Sequence, residues 1–290
     1  MINKQTVEQE LDQLRGLIML VETYEMIAGT SVRQIRNSVL ANRAFHVGLN
    51  RMFREITTAY KKEVEHLMKK KKIQSGSEVS LIKHTKQTAL MLLSANTGLY
   101  GDVVYRTFAS FITEVKRAQA DIVIIGRMGK IFFEEMMPGH AFTYFDFPDN
   151  AVALENLKEI SAFLSLYKKV VAFYAVFKNL LTQEVRASIV SGAELPSALI
   201  EDTSVQQYFF EPSLEEVDLF FEKEIFASLL EQIFQESRLA KLASRMVLLD
   251  RAVVNIENEL RRTTLTKELV RHRSINRQLL DSLSGTALWG

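Results

Sequence analysis

Two long stretches, one at each end of the sequence, carry apolar residues at alternating spacings of four and three. The series of the C-terminal stretch reads Leu242, Met246, Leu249, Val253, Ile256 and Leu260. The N-terminal series continues from residue 7 to residue 67, and its seam includes Leu11, Leu14, Ile18, Val21, Val32 and Ile35. This is the a/d pattern of helices that bury one narrow stripe against another helix. It predicts two long helices that lie antiparallel and form a coiled coil.

Few residues interrupt these two helices. The chain of 290 residues has four prolines and twelve glycines, and neither series contains a proline. Polar residues break the N-terminal seam at Glu25, Asn42, His46 and Glu63. Because polar seam residues usually fix the register of a coiled coil, we expect Asn42 and His46 to be structural rather than catalytic.

Four consecutive lysines, at 69–72, end the predicted N-terminal helix. Cations suit the negative end of a helix dipole, and we therefore interpret the lysines as a solvated helix end. The alternatives are a patch that binds phosphate or lipid and a scaffold that tethers nucleic acid. Lys and Arg number 36 and Asp and Glu 35, so the net charge of +1 argues against a nucleic-acid partner.

The composition excludes several kinds of site. The chain has no cysteine, which excludes disulfides, thiolate-bound zinc and thiol catalysis. No apolar run approaches the ~20 residues that a membrane span needs. The first ten residues mix acids and amides, unlike a signal or transit peptide. We therefore expect a soluble, intracellular protein.

Between the two seams the hydrophobic period changes. Short apolar runs predict strands at 88–93, 121–126, 141–145, 170–177 and 184–189. Amphipathic stretches predict helices at 103–117, 127–136 and 151–167. Strands that alternate with helices indicate an open, Rossmann-like α/β domain inserted between the long helices. The predicted domains are 1–72, 73–212 and 213–290, the last beginning at the capping box of Ser213 and Glu216.

One segment invites a nucleotide-binding interpretation. Residues 98–101, Gly-Leu-Tyr-Gly, follow a predicted strand and precede a predicted helix. The segment lacks the G-x-G-x-x-G spacing and the lysine-serine pair of a phosphate-binding loop. We therefore interpret these glycines as a tight turn, and we expect no catalytic residue, no cofactor and no metal site in this chain.

Six segments, in order, resemble the gamma subunit of F-type ATP synthases. They are 25–30 (EMIAGT), 94–101 (SANTGLYG), 125–130 (IGRMGK), 177–179 (FKN), 210–212 (FEP) and the closing helix from Arg245 to Gly285. Together they span nearly the whole chain. The family's cysteine in the second segment is replaced by Tyr100, and its serine-glutamate-alanine-arginine-methionine run is only partly kept, as Ala243-Ser244-Arg245-Met246.

The resemblance implies a mechanical role. A gamma subunit is a central shaft that turns inside a ring of three alpha and three beta subunits and couples rotation to ATP synthesis or hydrolysis. Its foot joins an epsilon-like subunit and the membrane ring of c subunits, so that rotation is coupled to ion translocation. The ATP chemistry belongs to the ring, and the shaft is not an enzyme. The implied location is peripheral, on the cytoplasmic face of the membrane, as in bacteria.

The resemblance also implies contacts with the ring near the end of the last helix. These residues are Arg271, His272, Ile275, Gln278, Leu279 and Leu283. Here His272 stands where the family has glutamine, and Gln278 where it has glutamate. Residues 17–21 are apolar (LIMLV), where the family has a polar run. These departures leave open a specialised F-like ATPase with a non-standard membrane part. An α/β small-molecule-binding protein dimerised by a coiled coil is the alternative of another class.

Overall fold

The structure is a computed structural model, and it describes residues 4–59, 86–152, 154–190 and 214–287. The predicted extension of the first helix to 67, the lysines at 69–72 and the cap at Ser213 lie outside these residues. Helices and strands follow in the order α1 (Lys4–Ala59), β1 (Lys86–Leu93), α2 (Val103–Val115), β2 (Asp121–Ile125), α3 (Arg127–Met136), β3 (Thr143–Phe145), α4 (Leu154–Leu164), β4 (Tyr167–Phe177), β5 (Gln183–Ile189) and α5 (Leu214–Ala287).

The strands form one mixed sheet in the order β3-β2-β1-β4-β5. Strands β1, β2, β3 and β4 are parallel, and β5 pairs antiparallel with β4. Met91 of β1 lies in register with Val123 of β2 and with Ala172 of β4. Parallel strands that are buried on both faces have continuous apolar sequences, and such runs are the pattern from which these strands are predicted. All five predicted strands and the three helices between them are confirmed.

Alternate residues of β1 point to opposite faces of the sheet. On one face Leu90 and Leu92 pack with the aromatic residues of α2 and α3, including Phe111 and Phe133. On the other face Met91 and Leu93 pack with α4 and α5. The buried residues that these two helices contribute are Leu157, Ile160, Leu164, Phe226, Leu230, Ile233 and Phe234. The sheet is therefore a central layer covered by helices on both sides.

Strand β4 begins earlier than the sequence predicts. It starts at Tyr167 rather than at residue 170, and α4 ends at Leu164. The amide of Lys86 donates to the carbonyl of Leu166, and Lys86 pairs in register with Tyr167. Residues 167–169 fit a helical pattern in the sequence, but their pairing with β1 places them in a strand.

The chain forms two compact units, one of residues 1–31 with 245–290 and one of residues 32–244. In the first unit the two terminal helices pack through Val21, Leu249 and Ile256. Lys267 forms a salt bridge with Glu8 at 3.2 Å. The Met246 side chain lies 3.8 Å from the position of a Cβ built on Gly29. The residue numbers of both contacting pairs add to 275 (8 with 267, 29 with 246), so the helices are antiparallel in a constant register.

In the second unit the later part of α1 packs on the same cluster as α5. Val32 and Ile35 are buried with Tyr100, Leu239 and Leu242. Burial of an aliphatic or aromatic side chain contributes about 1.5–3 kcal/mol, so this cluster is a substantial part of the unit's core.

The glycines provide a matched test of the packing. A Cβ at Gly129 in α3 would lie 2.7 Å from the Ser94 Cβ and 3.0 Å from the Leu92 Cδ2, whereas a Cβ at Gly16 in α1 meets nothing within 4 Å. We expect Gly129→Ala to lower the free energy of unfolding by about 1–3 kcal/mol because the helix must move away from the sheet. We expect Gly16→Ala to raise it by about 1 kcal/mol because alanine favours the helix.

Denaturant unfolding followed by circular dichroism measures both changes. Equal effects of the two substitutions would show that α3 does not approach β1 as closely as described.

Candidate functional site

The predicted ring-contact residues lie on the last turns of α5. The structure leaves all six exposed: Arg271, His272, Ile275, Gln278, Leu279 and Leu283. Leu279 is 57% exposed and Leu283 66%. The register of the two terminal helices explains this exposure, because it places residue 271 opposite residue 4, where the described part of α1 begins. The apolar residues after Arg271 therefore lie beyond the part of α5 that faces the described residues of α1.

The predicted seam residues divide between the two units. In the first unit Leu11, Val21, Leu249 and Ile256 are buried, and the half-buried positions are Leu14, Ile18, Met246, Val253 and Leu260. In the second unit Val32, Ile35 and Leu242 are buried in the cluster that also holds residues of the loop after β1. The heptad pattern thus identifies buried residues in both units.

The loop after β1 forms the tight turn that its glycines predict. Gly101 has a φ of +62° and Leu99 a φ of +67°, both in the left-handed region. A Cβ on Gly101 would also lie 2.8 Å from the Ser244 Oγ of α5. Glycine is therefore needed at position 101 both for its backbone conformation and for the close approach of α5.

A carboxylate of the chain itself occupies the backbone donors of this loop. The Asp149 Oδ2 accepts hydrogen bonds from the amides of Asn96 and Thr97, both at 2.9 Å, and from the Thr97 Oγ1 at 3.0 Å. In open α/β sheets, ligands bind at the carboxyl ends of the strands. Here that edge is filled from within, which disfavours a nucleotide-binding function for this loop.

Lys241 of α5 reaches the same edge of the sheet. Its Nζ donates to the carbonyl of Ser94 at 2.7 Å and lies 3.5 Å from the Asp149 Oδ1. The side chains of Lys241 and Asp149 are only 9% and 10% exposed. A buried ammonium is tolerated because it has both a carboxylate and a carbonyl as acceptors.

No sequence pattern singles out Asp149 or Lys241, and Asn96 is noted only as part of the 94–101 segment. One signal was present: Lys241 interrupts an otherwise apolar or small run, from Leu239 to Ala243, next to the seam position Leu242. A charged residue at such a position requires a buried partner. Asn96 and Asp149 follow β1 and β3, whose carboxyl ends lie at the same edge of the sheet.

A second polar cluster lies at the amino ends of the strands. The Lys86 Nζ donates to the Tyr167 hydroxyl at 2.9 Å, and that hydroxyl donates to the Asp121 Oδ2 at 2.8 Å. The hydrogen bond with Tyr167 raises the pKa of Lys86. Burial raises the pKa of Tyr167, and the hydrogen bond to Asp121 adds to the effect.

Comparisons with known proteins agree with the resemblance. The sequence model of the family described as ATP synthase matches residues 3–287. The ATP synthase gamma chain of Chloroflexus aurantiacus is 25% identical, over 99% of each chain. The gamma chain of Geobacter sp. (strain M21) is 22% identical, over 99% of this chain and 98% of the relative.

Solved structures show the same fold. A structure of the central stalk and c-ring of the Tetrahymena thermophila mitochondrial ATP synthase matches with a TM-score of 0.55 and 19% identity, over 80% of this chain and 99% of that chain. A structure of the OSCP, F1 and c-ring of the Euglena gracilis enzyme matches with a TM-score of 0.51 and 12% identity, over 89% and 94%.

Because the family match covers nearly the whole sequence, the chain belongs to the ATP synthase family. Within that family its full-length relatives are gamma chains, and the predicted resemblance to the gamma subunit is confirmed. Its helical ends and central mixed sheet are those of the central-stalk fold.

The cluster at the amino ends of the strands predicts an alkaline loss of stability. Raised pKa values of Lys86 and Tyr167 contribute stability that is complete below about pH 10 and is lost as the pH rises through the folded-state values. We expect the melting temperature to fall more steeply above about pH 10 in the wild type than in Lys86→Met or Tyr167→Phe.

Thermal melts from pH 8 to 11 measure this difference. The matched control is Lys168→Met, at an exposed lysine of β4, which should retain the wild-type dependence. Identical curves for the wild type and both cluster variants would exclude the cluster as the cause.

Proposed function

We propose that this chain is the gamma subunit of an F-type ATP synthase, the central shaft that couples rotation to ATP synthesis or hydrolysis and to ion translocation. The observation that carries the proposal is the match over residues 3–287, together with relatives that are gamma chains along their whole length. The matching solved structures come from assemblies of the central stalk with the c-ring and of F1 with the c-ring.

The two compact units suit two tasks. The antiparallel helix pair of the first unit would act as the rod inside the ring of alpha and beta subunits, and we propose that it is a coiled coil. The second unit would be a Rossmann-like foot that contacts the c-ring and an epsilon-like subunit. The proposed domains follow the sequence: 1–72 for the first helix, 73–212 for the α/β domain and 213–290 for the last helix. Helix α5 extends without a break from Leu214 to Ala287, which makes it a stiff element for torque.

The exposed end of α5 would supply the contacts with the ring. Arg271 and His272 present cationic and hydrogen-bonding groups, and a charge-assisted bond from Arg271 to a ring carboxylate would contribute about 1.5–3 kcal/mol. Ile275, Leu279 and Leu283 would turn within an apolar sleeve, where contacts lack direction and permit rotation. Gln278 would add a neutral polar contact on the same end.

The departures from the family suggest a ring adapted to this shaft. Leu17, Met19 and Leu20 are exposed in the first unit, and Met19 is 68% exposed. An exposed apolar group of this kind indicates an interaction surface. The partner ring would therefore present apolar side chains there and accept His272 in place of the family's amide.

The chain would take no part in the ATP chemistry. The Asn96 and Thr97 amides of the loop after β1 already donate to Asp149. The proposed shaft would act only by changing the conformation of the ring. Among the described residues, no helix is long and apolar enough to cross a membrane. We propose a peripheral position at the cytoplasmic face of the membrane, held there by the c-ring.

Co-purification tests the proposal as a whole. A tagged chain expressed in its native cell should isolate with a nucleotide-binding ring that hydrolyses ATP, and the chain alone should hydrolyse none. Isolation of a homogeneous monomer without ATPase activity would contradict the proposed function.

The ring contact at Arg271 can be tested separately. We expect Arg271→Ala to lower coupled ATP turnover by about 10- to 150-fold in the reconstituted complex, because loss of a charge-assisted hydrogen bond costs about 1.5–3 kcal/mol. The helical content should not change, since Arg271 is exposed.

The control is Arg117→Ala, at an exposed arginine that follows α2 in the second unit. This variant should turn over as the wild type does. Unchanged turnover in Arg271→Ala would remove Arg271 from the proposed contacts.

A further inference from the structure

Three polar side chains of α5 contact the loops at the carboxyl edge of the sheet. Arg238 donates to the carbonyl of Asn150, Lys241 to that of Ser94 and Ser244 to that of Tyr100. Their spacing of three residues places them along one side of the helix over about two turns. The loops that they reach follow β1 and β3.

Lys241 and Asp149 form the centre of this set. The Lys241 Nζ binds the loop after β1 through Ser94 and lies 3.5 Å from the Asp149 Oδ1 in the loop after β3. It also lies 6.0 Å from the centre of the Tyr100 ring, at the edge of cation–π range. One buried ammonium therefore contacts both loops.

Asp149 joins the two loops to each other. While its Oδ1 faces Lys241, its Oδ2 accepts from the amides of Asn96 and Thr97. The Asn96 side chain completes the set, since its Oδ1 accepts from the amide of Arg127, at the start of α3, at 2.8 Å. The helix, both loops and α3 are thus connected through directional bonds.

Other residues of α5 add apolar packing on the sheet, among them Leu230, Ile233 and Phe234. Close packing fixes the position of such a helix, but the apolar attraction itself has little dependence on direction. The polar contacts near Lys241 add directional constraints on the rotation and register of α5.

We propose that Lys241 and Asp149 are positioning residues that lock α5 to the α/β unit, so that torque passes between them without slip. This inference rests on the proposed function as a rotor shaft. It concerns a different part of the chain from the exposed end of α5, and it predicts a defect that appears only under load.

The test uses the complete complex reconstituted in liposomes with four versions of this chain. Lys241→Met removes the charge and keeps an unbranched side chain one heavy atom shorter. Asp149→Asn removes the charge and keeps an oxygen for the two amides. The double variant removes both charges, which avoids an unpaired buried ion. Lys223→Met, at an exposed lysine of the same helix, is the matched control.

Two measurements are made on each variant. Hydrogen exchange reports the opening of residues 94–101, and we expect each single variant to speed it about 100-fold, because an unpaired buried charge strongly favours opening. ATP-driven ion uptake against a rising gradient should stop at a lower gradient in both single variants. Hydrolysis without a gradient should remain at the wild-type rate. The double variant should recover slow exchange, because no charge is left unpaired, but it should keep the lowered gradient, because the directional contacts are still missing.

The outcomes separate this inference from the proposed function. Wild-type gradients in both single variants would overturn the positioning role. Equal loss with and without a gradient would also overturn it, since that result indicates general misfolding. If Lys241→Met fails to assemble, Asp149→Asn and the double variant decide the question in the same way. If the wild-type chain supports no ion uptake with its ring, the proposed function itself fails.

Discussion

The structure depends on how one long helix, α5, divides its buried surface between the α/β unit and α1. In the second unit residues 239–244 of α5 are all buried, so this part of the helix is covered on more than one side. Helix α1 takes part there, because Val32 and Ile35 belong to the same cluster. In the first unit only a stripe of α5, at Leu249 and Ile256, is buried, and it packs on α1.

Most of the fold could be predicted because it depends on local patterns. The buried strands are continuous apolar runs, and the helices between them have clear amphipathic faces, so the five strands and three helices agree with the sequence to within a few residues. The start of β4 could not be predicted, because Tyr167 joins the sheet only through its pairing with Lys86, far away in the sequence. The hydrophobic period of one segment carries no information about a pairing strand elsewhere in the chain.

The same reasoning applies to the sites. The six residues at the end of α5 were identified through resemblance to a family, and the structure leaves them exposed. Lys241 and Asp149 are 92 residues apart, and each looks ordinary in its own segment. Their association depends on which strand ends lie side by side, and sheet order supplies that information. Only the position of a lysine within an apolar run gave a local indication.

The occupied loop after β1 has a consequence for regulation. The donors that could hold a phosphate group are the Asn96 and Thr97 amides and the Thr97 hydroxyl, and all three donate to Asp149. Because Asp149 belongs to the same chain, it cannot diffuse away. A shaft of the proposed kind works beside a ring in which ATP, ADP and phosphate come and go. An incoming phosphate would have to displace Asp149 before it could accept hydrogen bonds from the Asn96 and Thr97 amides, so this loop is closed to those anions as long as Asp149 stays in place.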